Sequence, residues 1–328
     1  MKKTALPLRQ IARVLSRSKS VFITVHQRPD GDALGSQIGL ALALKQKGVR
    51  TYLANSDPIP PRYRFLPHSE MIMTAPNGSR IPPRFDTALI LECAELGRAG
   101  KCGAFAKRAD VVINMDHHLG NTFYGTYNAV DTKAPATVML AERLRKMMGA
   151  KLTTDMATNF YVGLVTETGS FRYSNTTHEL MRLASRLIEA GVTPRWIGEQ
   201  VYEQFSPKRL KLLMHALQNL RVTGKVAWMH LAKKDFLKTG AREEDSEDFI
   251  EYAKSVKGVK VAVFMQEMKG NAVRASLRAK AEIPVNTVAM RFGGGGHAYA
   301  AGCTLSGVTI EQARRRILAV IRAVSRSL

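Results

Sequence analysis

The feature that most constrains the fold is a series of short apolar runs that end directly in ionisable side chains. Three of these runs lie at 21–25, 87–91 and 111–115, and a periodic helical segment follows the first of them. Helices dominate again from about 135 to 190. Short apolar strands that alternate with helices are typical of a mostly parallel α/β sheet. Ligands bind beyond the carboxyl ends of such strands, so we expect the functional site at that edge.

The second part of the chain has a different pattern. Residues 221–231 and 259–278 predict two β-hairpins, and the last periodic helix begins at Ile310. At 328 residues the chain is also long for one domain. We therefore predict three segments: an α/β domain over 1–195, a connector over 196–214 and a smaller α+β domain over 215–328.

The net charge indicates a class of partner. The chain has 49 Lys and Arg against 27 Asp and Glu, which gives a formal charge of +22 at pH 7. So large a cationic excess favours nucleic acids, nucleotides or another polyanion as the partner. A generally basic protein without such a partner is the alternative, and charge alone indicates no reaction.

Cysteine usage and the N-terminal residues bear on the cellular compartment. The three cysteines include no CxxC pair, which is typical of reduced cytoplasmic thiols and not of a disulfide framework or a zinc site. The first residues are basic, as in a signal peptide, but Arg9, Arg13 and Arg17 interrupt any apolar core. No stretch approaches the ~18 apolar residues of a membrane span. We expect a cytoplasmic protein without a membrane segment.

The first chemical cluster is His26, Asp30 and Asp32, spaced as H-x-x-x-D-x-D after the first apolar run. One imidazole and two carboxylates within seven residues can converge on a pair of divalent metal ions. Carboxylates suit Mn²⁺ or Mg²⁺, and a histidine ligand favours Mn²⁺. The alternative is an Asp-Gly turn with a helix-capping aspartate.

The second cluster is Asp116-His117-His118, directly after the run at 111–115. Three adjacent polar side chains are costly to bury without partners, so they indicate a metal site or a hydrogen-bond network. A solvated surface loop is the alternative. Glu92 and Glu167 also follow apolar runs, although a single carboxylate there is more often a helix cap or solvated. Together these residues match the ligand number of a dinuclear hydrolase, in which two metal ions assist phosphoryl transfer.

The third cluster is the glycine run between Phe292 and His297 in the second predicted domain. Four glycines allow a close approach of the backbone to a ligand and can direct several N–H groups at one phosphate. Arg278, in the preceding predicted strand, can pair with a phosphate through two hydrogen bonds. The alternative is a flexible turn.

With these motifs in place, the sequence resembles the DHH phosphoesterase superfamily. Asp116-His117-His118 is similar to the motif that gives the superfamily its name, HQRPDGDALGS to its first motif, and TETGSFRY to its fourth. The SLR and GGGGHAYAAG segments resemble the DHHA1 domain. The length is most similar to the NrnA-like branch, whose members degrade very short RNA and dephosphorylate 3′-phosphoadenosine 5′-phosphate.

The resemblance implies roles for individual residues. The implied metal ligands are His26 and Asp30 for one ion, Asp32 and His117 for the other, and Glu92 and Glu167. His118 is implied to face the scissile phosphate, and Asp116 to be a ligand or to orient His117. The implied substrate contacts are Arg98, Arg278, Gly293, Gly294, Gly295, Gly296 and His297. The family usually has Asp at the positions of Glu92 and Glu167, so each side chain here is one methylene longer.

We therefore predict a phosphoesterase with an α/β DHH domain and a smaller α+β DHHA1 domain. It is expected to use two divalent ions, Mn²⁺ in preference to Mg²⁺ or Co²⁺, on short single-stranded RNA or DNA and nucleotides. Three alternatives stay open: a monoesterase for the bisphosphonucleotide, a cyclic-dinucleotide-related phosphodiesterase, and a catalytically silent nucleic-acid-binding protein. A homodimer is also left open.

Overall fold

The chain folds into two compact units. They comprise 1–204, the N-terminal unit, and 205–328, the C-terminal unit. The structure is a computed structural model that describes residues 4–5, 7–74, 81–280 and 283–324.

The N-terminal unit contains a seven-stranded sheet in which every neighbouring pair is parallel. Its strands are β1 Thr4–Ala5, β2 Ser20–Thr24, β3 Arg50–Asn55, β4 Ile72–Thr74, β5 Phe85–Leu91, β6 Ala109–Asp116 and β7 Tyr127–Val130. They lie in the order β1-β7-β6-β5-β2-β3-β4. The parallel α/β prediction is confirmed, and the three apolar runs form the adjacent strands β2, β5 and β6. The sequence did not reveal β1, β4 or β7, because two to four residues carry too little pattern.

In the described part of this unit, six α-helices connect and cover the strands. They are α1 Leu8–Arg17, α2 Gly31–Gln46, α3 Thr137–Met147, α4 Thr154–Glu167, α5 His178–Glu189 and α6 Pro194–Tyr202. Short 3-10 segments occur at Pro61–Tyr63, Ser69–Met71 and Leu96–Arg108, the last kinked at Gly100. Side chains of Asp30, Thr153 and Thr177 cap the first turns of α2, α4 and α5. These caps satisfy backbone donors that no residue inside the helix can reach.

Strand β2 shows how the sheet buries both faces. Val21 and Ile23 point into the cluster formed with α1 to α5, whereas Phe22 points to the opposite face and packs against Phe85 and Phe105. Successive side chains of a strand point to opposite faces, so a strand covered on both sides is apolar throughout. This explains why the runs are mainly apolar, with Thr24 and Asn114 as buried polar exceptions near their carboxyl ends.

Glycines set the distance between α2 and α4. Three of them lie at four-residue spacing along α2: Gly31, Gly35 and Gly39. A Cβ atom on Gly35 would overlap the backbone oxygen of Asn159 in α4. The two helix backbones therefore approach more closely than larger residues permit. The contact places Asp32, in the first turn of α2, beside Glu167 at the end of α4.

The C-terminal unit is a mixed sheet with helices. Its strands are β8 Arg221–Thr223, β9 Val226–Leu231, β10 Val261–Met268, β11 Ala272–Ala279, β12 Gly295–His297 and β13 Ala300–Ser306. Its helices are α7 Pro207–Gln218, α8 Lys233–Thr239, α9 Ile250–Ser255, α10 Val285–Met290 and α11 Ile310–Val324, with a 3-10 turn at Glu243–Ser246. The strand order is β12-β13-β11-β10-β9-β8, and only β9 and β10 pair in parallel. Both predicted hairpins, β8–β9 and β10–β11, are confirmed. None of the helices within the described ranges has the length and apolarity to cross a bilayer.

Candidate metal site

The candidate site lies at the carboxyl edge of the parallel sheet, where β2, β5 and β6 end side by side. His26 follows β2, Glu92 follows β5, and Asp116 is the last residue of β6. The helix termini add residues to the same edge: Asp30 and Asp32 begin α2, and Glu167 ends α4. The edge predicted from the apolar runs is the edge at which these side chains meet.

Two groups of ligand atoms share one histidine. The groups are Glu92, His117 and His118, and Asp32, His117 and Glu167, each with ligand atoms within 4.8 Å of one another. The Nε2 atom of His117 lies 3.7 Å from Oε1 of Glu92 and 4.0 Å from Oε1 of Glu167. Because Nδ1 of His117 donates to the backbone oxygen of Ala134 at 3.1 Å, Nε2 is the ring atom that faces both glutamates, and one imidazole nitrogen can bind one ion. The two groups therefore form one continuous cluster, in which carboxylates rather than the histidine would be shared between two ions.

His26 and Asp30 form a pair beside these groups. Nε2 of His26 lies 3.7 Å from Oδ2 of Asp30. Burial acts to lower the pKa of His26, but the neighbouring carboxylate of Asp30 outweighs it and raises the pKa. Asp30 also caps α2, because its Oδ1 accepts the Ala33 N–H at 2.9 Å. Asp30 therefore does cap the helix, as the alternative interpretation expects, and it also lies in the cluster of candidate ligands.

Asp32 is fixed by the start of α3. Its two carboxylate oxygens accept the backbone N–H groups of Thr137 at 2.7 Å and Val138 at 2.8 Å. Both donors belong to a helix N-terminus, where no helical carbonyl is available and the helix dipole favours an anion. The carboxylate is fully buried and therefore has one orientation.

Asp116 orients the two histidines that follow it. Its Oδ1 accepts the His117 N–H at 2.9 Å and a hydrogen bond from Nδ1 of His118 at 2.5 Å. Its Oδ2 accepts Nδ2 of Asn121 at 2.6 Å. Burial acts to raise the pKa of Asp116, but the hydrogen bond and charge of His118 outweigh it and lower the pKa to about 2. Asn121 was missed from the sequence, since an isolated asparagine in a loop has no distinguishing pattern.

The site holds more buried negative charge than its histidines balance. Burial, followed by the charges of Asp32 and Asp30, raises the pKa of Glu92 well above its usual range. Burial likewise raises the pKa of Glu167 and raises that of Asp32 to about 6. Oε1 of Glu92 is buried and accepts no hydrogen bond from the described residues. An orphaned buried carboxylate oxygen among imidazole and carboxylate donors fits divalent cations of the Mn²⁺ and Mg²⁺ type.

Backbone strain concentrates in the loops of the site. Eight described residues other than glycine have positive φ, and five of them lie in these loops: Arg28, Glu92, Phe123, Ser170 and Phe171, at φ of 51–62°. Such conformations persist only where the surrounding structure determines them, and they cluster at functional sites.

The remaining predicted residues fall in two places. Arg98 is half-buried, its backbone oxygen accepts the Gln27 N–H at 2.7 Å, and its charge acts on the pKa of His26. Arg278 on β11 is half-buried and lies 3.5 Å from Glu251. The predicted glycines, Gly293, Gly294, Gly295 and Gly296, form the turn and strand after α10.

Strand pairing in the C-terminal unit brings two of the predicted substrate-binding residues close to each other. Arg278 and His297 are both paired with Ala300 of β13, from its two sides. The side chain of His297 lies outside the described part of the chain. A Cβ on Gly294 or Gly296 would overlap the backbone of β13, so close packing also accounts for these two glycines.

Known proteins share this organisation. The model of the DHH family, N-terminal domain, matches residues 20–164, and that of the DHHA1 domain matches 224–326. The bifunctional oligoribonuclease and PAP phosphatase NrnA of Thermus thermophilus is 34% identical over 320 residues, which cover 96% of this chain and 93% of that protein. The Bacillus subtilis protein of the same name is 26% identical, over 90% and 92% of the two chains. The crystal structure of an exopolyphosphatase-related protein from Bacteroides fragilis superposes with a TM-score of 0.91 at 25% identity, over 96% and 95%.

Proposed function

This chain belongs to the DHH phosphoesterase family, in its NrnA branch, and from that premise we propose that it hydrolyses short single-stranded oligonucleotides and dephosphorylates 3′-phosphoadenosine 5′-phosphate. The observation that carries the proposal is the largely buried cluster of carboxylates and histidines around His117 at the carboxyl edge of the sheet. The names of the NrnA relatives supply the substrates. The charge of +22 favours an oligonucleotide, because each further phosphate adds an ion pair.

The proposed ligands for two divalent ions are those grouped at the carboxyl edge: His26, Asp30, Asp32, Glu92, His117 and Glu167. Such ions supply Lewis acidity and activate water at neutral pH when bound. We propose Mn²⁺, given the histidine ligands, and a cytoplasmic location. Glu92 brings its oxygens to 3.7 and 3.9 Å from the two histidines, which supports a glutamate at this position as a ligand.

The residues of the chain itself bind and orient the substrate. Because Nδ1 of His118 donates to Asp116, its Nε2 is the ring nitrogen that can contact a phosphate oxygen. Asp116 fixes the orientation of the ring so that Nε2, when it carries a proton, can donate to a phosphate oxygen on which negative charge develops. Arg98 is proposed to contact the same phosphate.

The C-terminal unit is proposed to bind the substrate, with the predicted domain 215–328 as the substrate-binding DHHA1 domain. Arg278 supplies a guanidinium group and the adjacent glycine turn supplies backbone N–H groups, both of which suit a terminal phosphate. The strand register that places Arg278 and His297 on either side of Ala300 supports this assignment.

The test is hydrolysis of a labelled RNA dinucleotide and of 3′-phosphoadenosine 5′-phosphate with Mn²⁺. His117→Ala removes the residue shared by both ligand groups, and His178→Ala, at the exposed start of α5, is the matched control. We expect turnover by wild type and His178→Ala, and none by His117→Ala or after chelation. Dinucleotide binding without turnover by wild type would contradict the proposal and favour a silent binding protein.

A further inference from the structure

The loop that follows His118 presents two apolar side chains to solvent. Leu119 is 78% exposed and Phe123 is 40% exposed. Neither belongs to, or packs against, the hydrophobic clusters found among the described residues. Single exposed apolar residues are ordinary in proteins, so exposure alone indicates nothing. This pair differs from other exposed apolar residues because Leu119 directly follows His118 and because hydrogen bonds hold the loop in one conformation.

The loop is held in one conformation by Asn121. The side-chain oxygen of Asn121 accepts the Phe123 N–H at 2.8 Å and Nδ2 of Asn114 at 2.9 Å, while its Nδ2 donates to Asp116. The Thr122 N–H donates to the backbone oxygen of Ala94 at 2.8 Å, which joins the loop to the one after β5.

Phe123 is also held in a strained conformation, with φ at 51°. A bulky residue stays in the left-handed region only when its surroundings determine it. The hydrogen bonds of the Phe123 and Thr122 N–H groups therefore hold the loop in this conformation, with the ring of Phe123 partly exposed. The same asparagine that fixes Phe123 fixes Asp116, so the apolar pair and His118 share one rigid support.

We propose that Leu119 and Phe123 form a surface that receives the nucleobase of the nucleoside attached to the scissile phosphate. This inference rests on the proposed function and adds to it the residues that contact the base: through Leu119 and Phe123, phosphoesters that carry a base are favoured over those that do not. Every base has an apolar face, so contact with such a surface is tolerant of sequence. A rigid surface also loses little conformational freedom when the base binds.

The test compares an RNA dinucleotide with an abasic dinucleotide that has the same phosphodiester. Leu119→Ser removes the apolar contact, and Leu237→Ser on α8, at 82% exposure, is the matched control. We expect Leu119→Ser to raise KM for the RNA dinucleotide roughly fivefold with kcat unchanged, which is the effect of leaving about 40 Å² of apolar surface uncovered. KM for the abasic compound should not change, and Leu119→Trp should lower KM for the RNA dinucleotide.

Two results would overturn the inference: an unchanged KM for the RNA dinucleotide, or equal losses on both compounds. Equilibrium binding of a fluorescent dinucleotide by wild type and Leu119→Ser separates this inference from the proposed function. If wild type hydrolyses neither compound, the proposed function fails. Weaker dinucleotide binding by Leu119→Ser would still support the apolar surface, and equal binding would refute it.

Discussion

Replacement of Asn121 by alanine tests whether Asp116 and the loop act as one support for His118. The change removes a hydrogen bond to a buried carboxylate, about 1.5–3 kcal/mol, and two neutral hydrogen bonds of about 1 kcal/mol each. Because the loop is partly exposed, water replaces part of this, and we expect the free energy of unfolding to fall by about 2–3 kcal/mol. That corresponds to a fall in Tm of about 4–12 °C.

The effect on catalysis should exceed the effect on folding. Without Asn121, Oδ2 of Asp116 loses its partner and the carboxylate no longer has one orientation, so His118 loses its fixed tautomer. Loss of a residue that orients a catalytic or ligating group typically costs about 10- to 100-fold. We expect kcat to fall by that factor at saturating Mn²⁺, with KM for the dinucleotide less affected.

Asn128→Ala is the matched control. Asn128 is buried and exchanges two hydrogen bonds of 3.0 Å with Gly125, but neither reaches Asp116. This variant should lose a similar amount of stability and keep its kcat. The kcat of dinucleotide hydrolysis and the free energy of unfolding from calorimetry are measured for both variants and compared with wild type. A kcat within threefold of wild type in Asn121→Ala, or an equal fall in Asn128→Ala, would refute the reasoning.

Three further predictions concern the helices and the acidic cluster. Gly35→Ala should destabilise the protein by about 1–3 kcal/mol, because the added Cβ meets the backbone of Asn159. Gly198→Ala in α6, where the added Cβ has open space around it, should be neutral or stabilising, and thermal unfolding that ranks the two variants the other way would contradict this. With a chelator present, raising the pH from about 4 to 6 should lower the free energy of unfolding, because Asp32 has a pKa of about 6 in the native state and about 3.9 in the unfolded state, so the native state binds more protons. Saturating Mn²⁺ should remove this pH dependence, and denaturant titrations at several pH values measure it. Glu92→Asp should weaken Mn²⁺ binding about tenfold or more, as measured by calorimetric titration, because the shorter side chain withdraws its oxygens from His117 and His118. Unchanged affinity would show that the length of the Glu92 side chain does not set metal binding.

Some of the site could be predicted from the sequence because strand ends are visible in it. His26, Glu92 and Asp116 each follow an apolar run, and the runs proved to be adjacent parallel strands. Asn121 could not be found this way, because its role depends on a loop that turns back to Asp116. The restraint on Asp32 was equally hidden, since its donor Thr137 lies 105 residues further along the chain.

The glycine contact between α2 and α4 has a consequence for how such a protein can diverge. The spacing of Asp32 and Glu167 depends on backbone touching backbone at Gly35, and on the side chains of Thr166 and Phe160 that lie against Gly31 and Gly39. Apolar residues such as Leu34 and Leu40 can therefore exchange for others of similar volume while the two carboxylates keep their separation. Substitutions of this kind in the core would therefore leave the two carboxylates in place, whereas substitutions at the three glycines of α2 would move them.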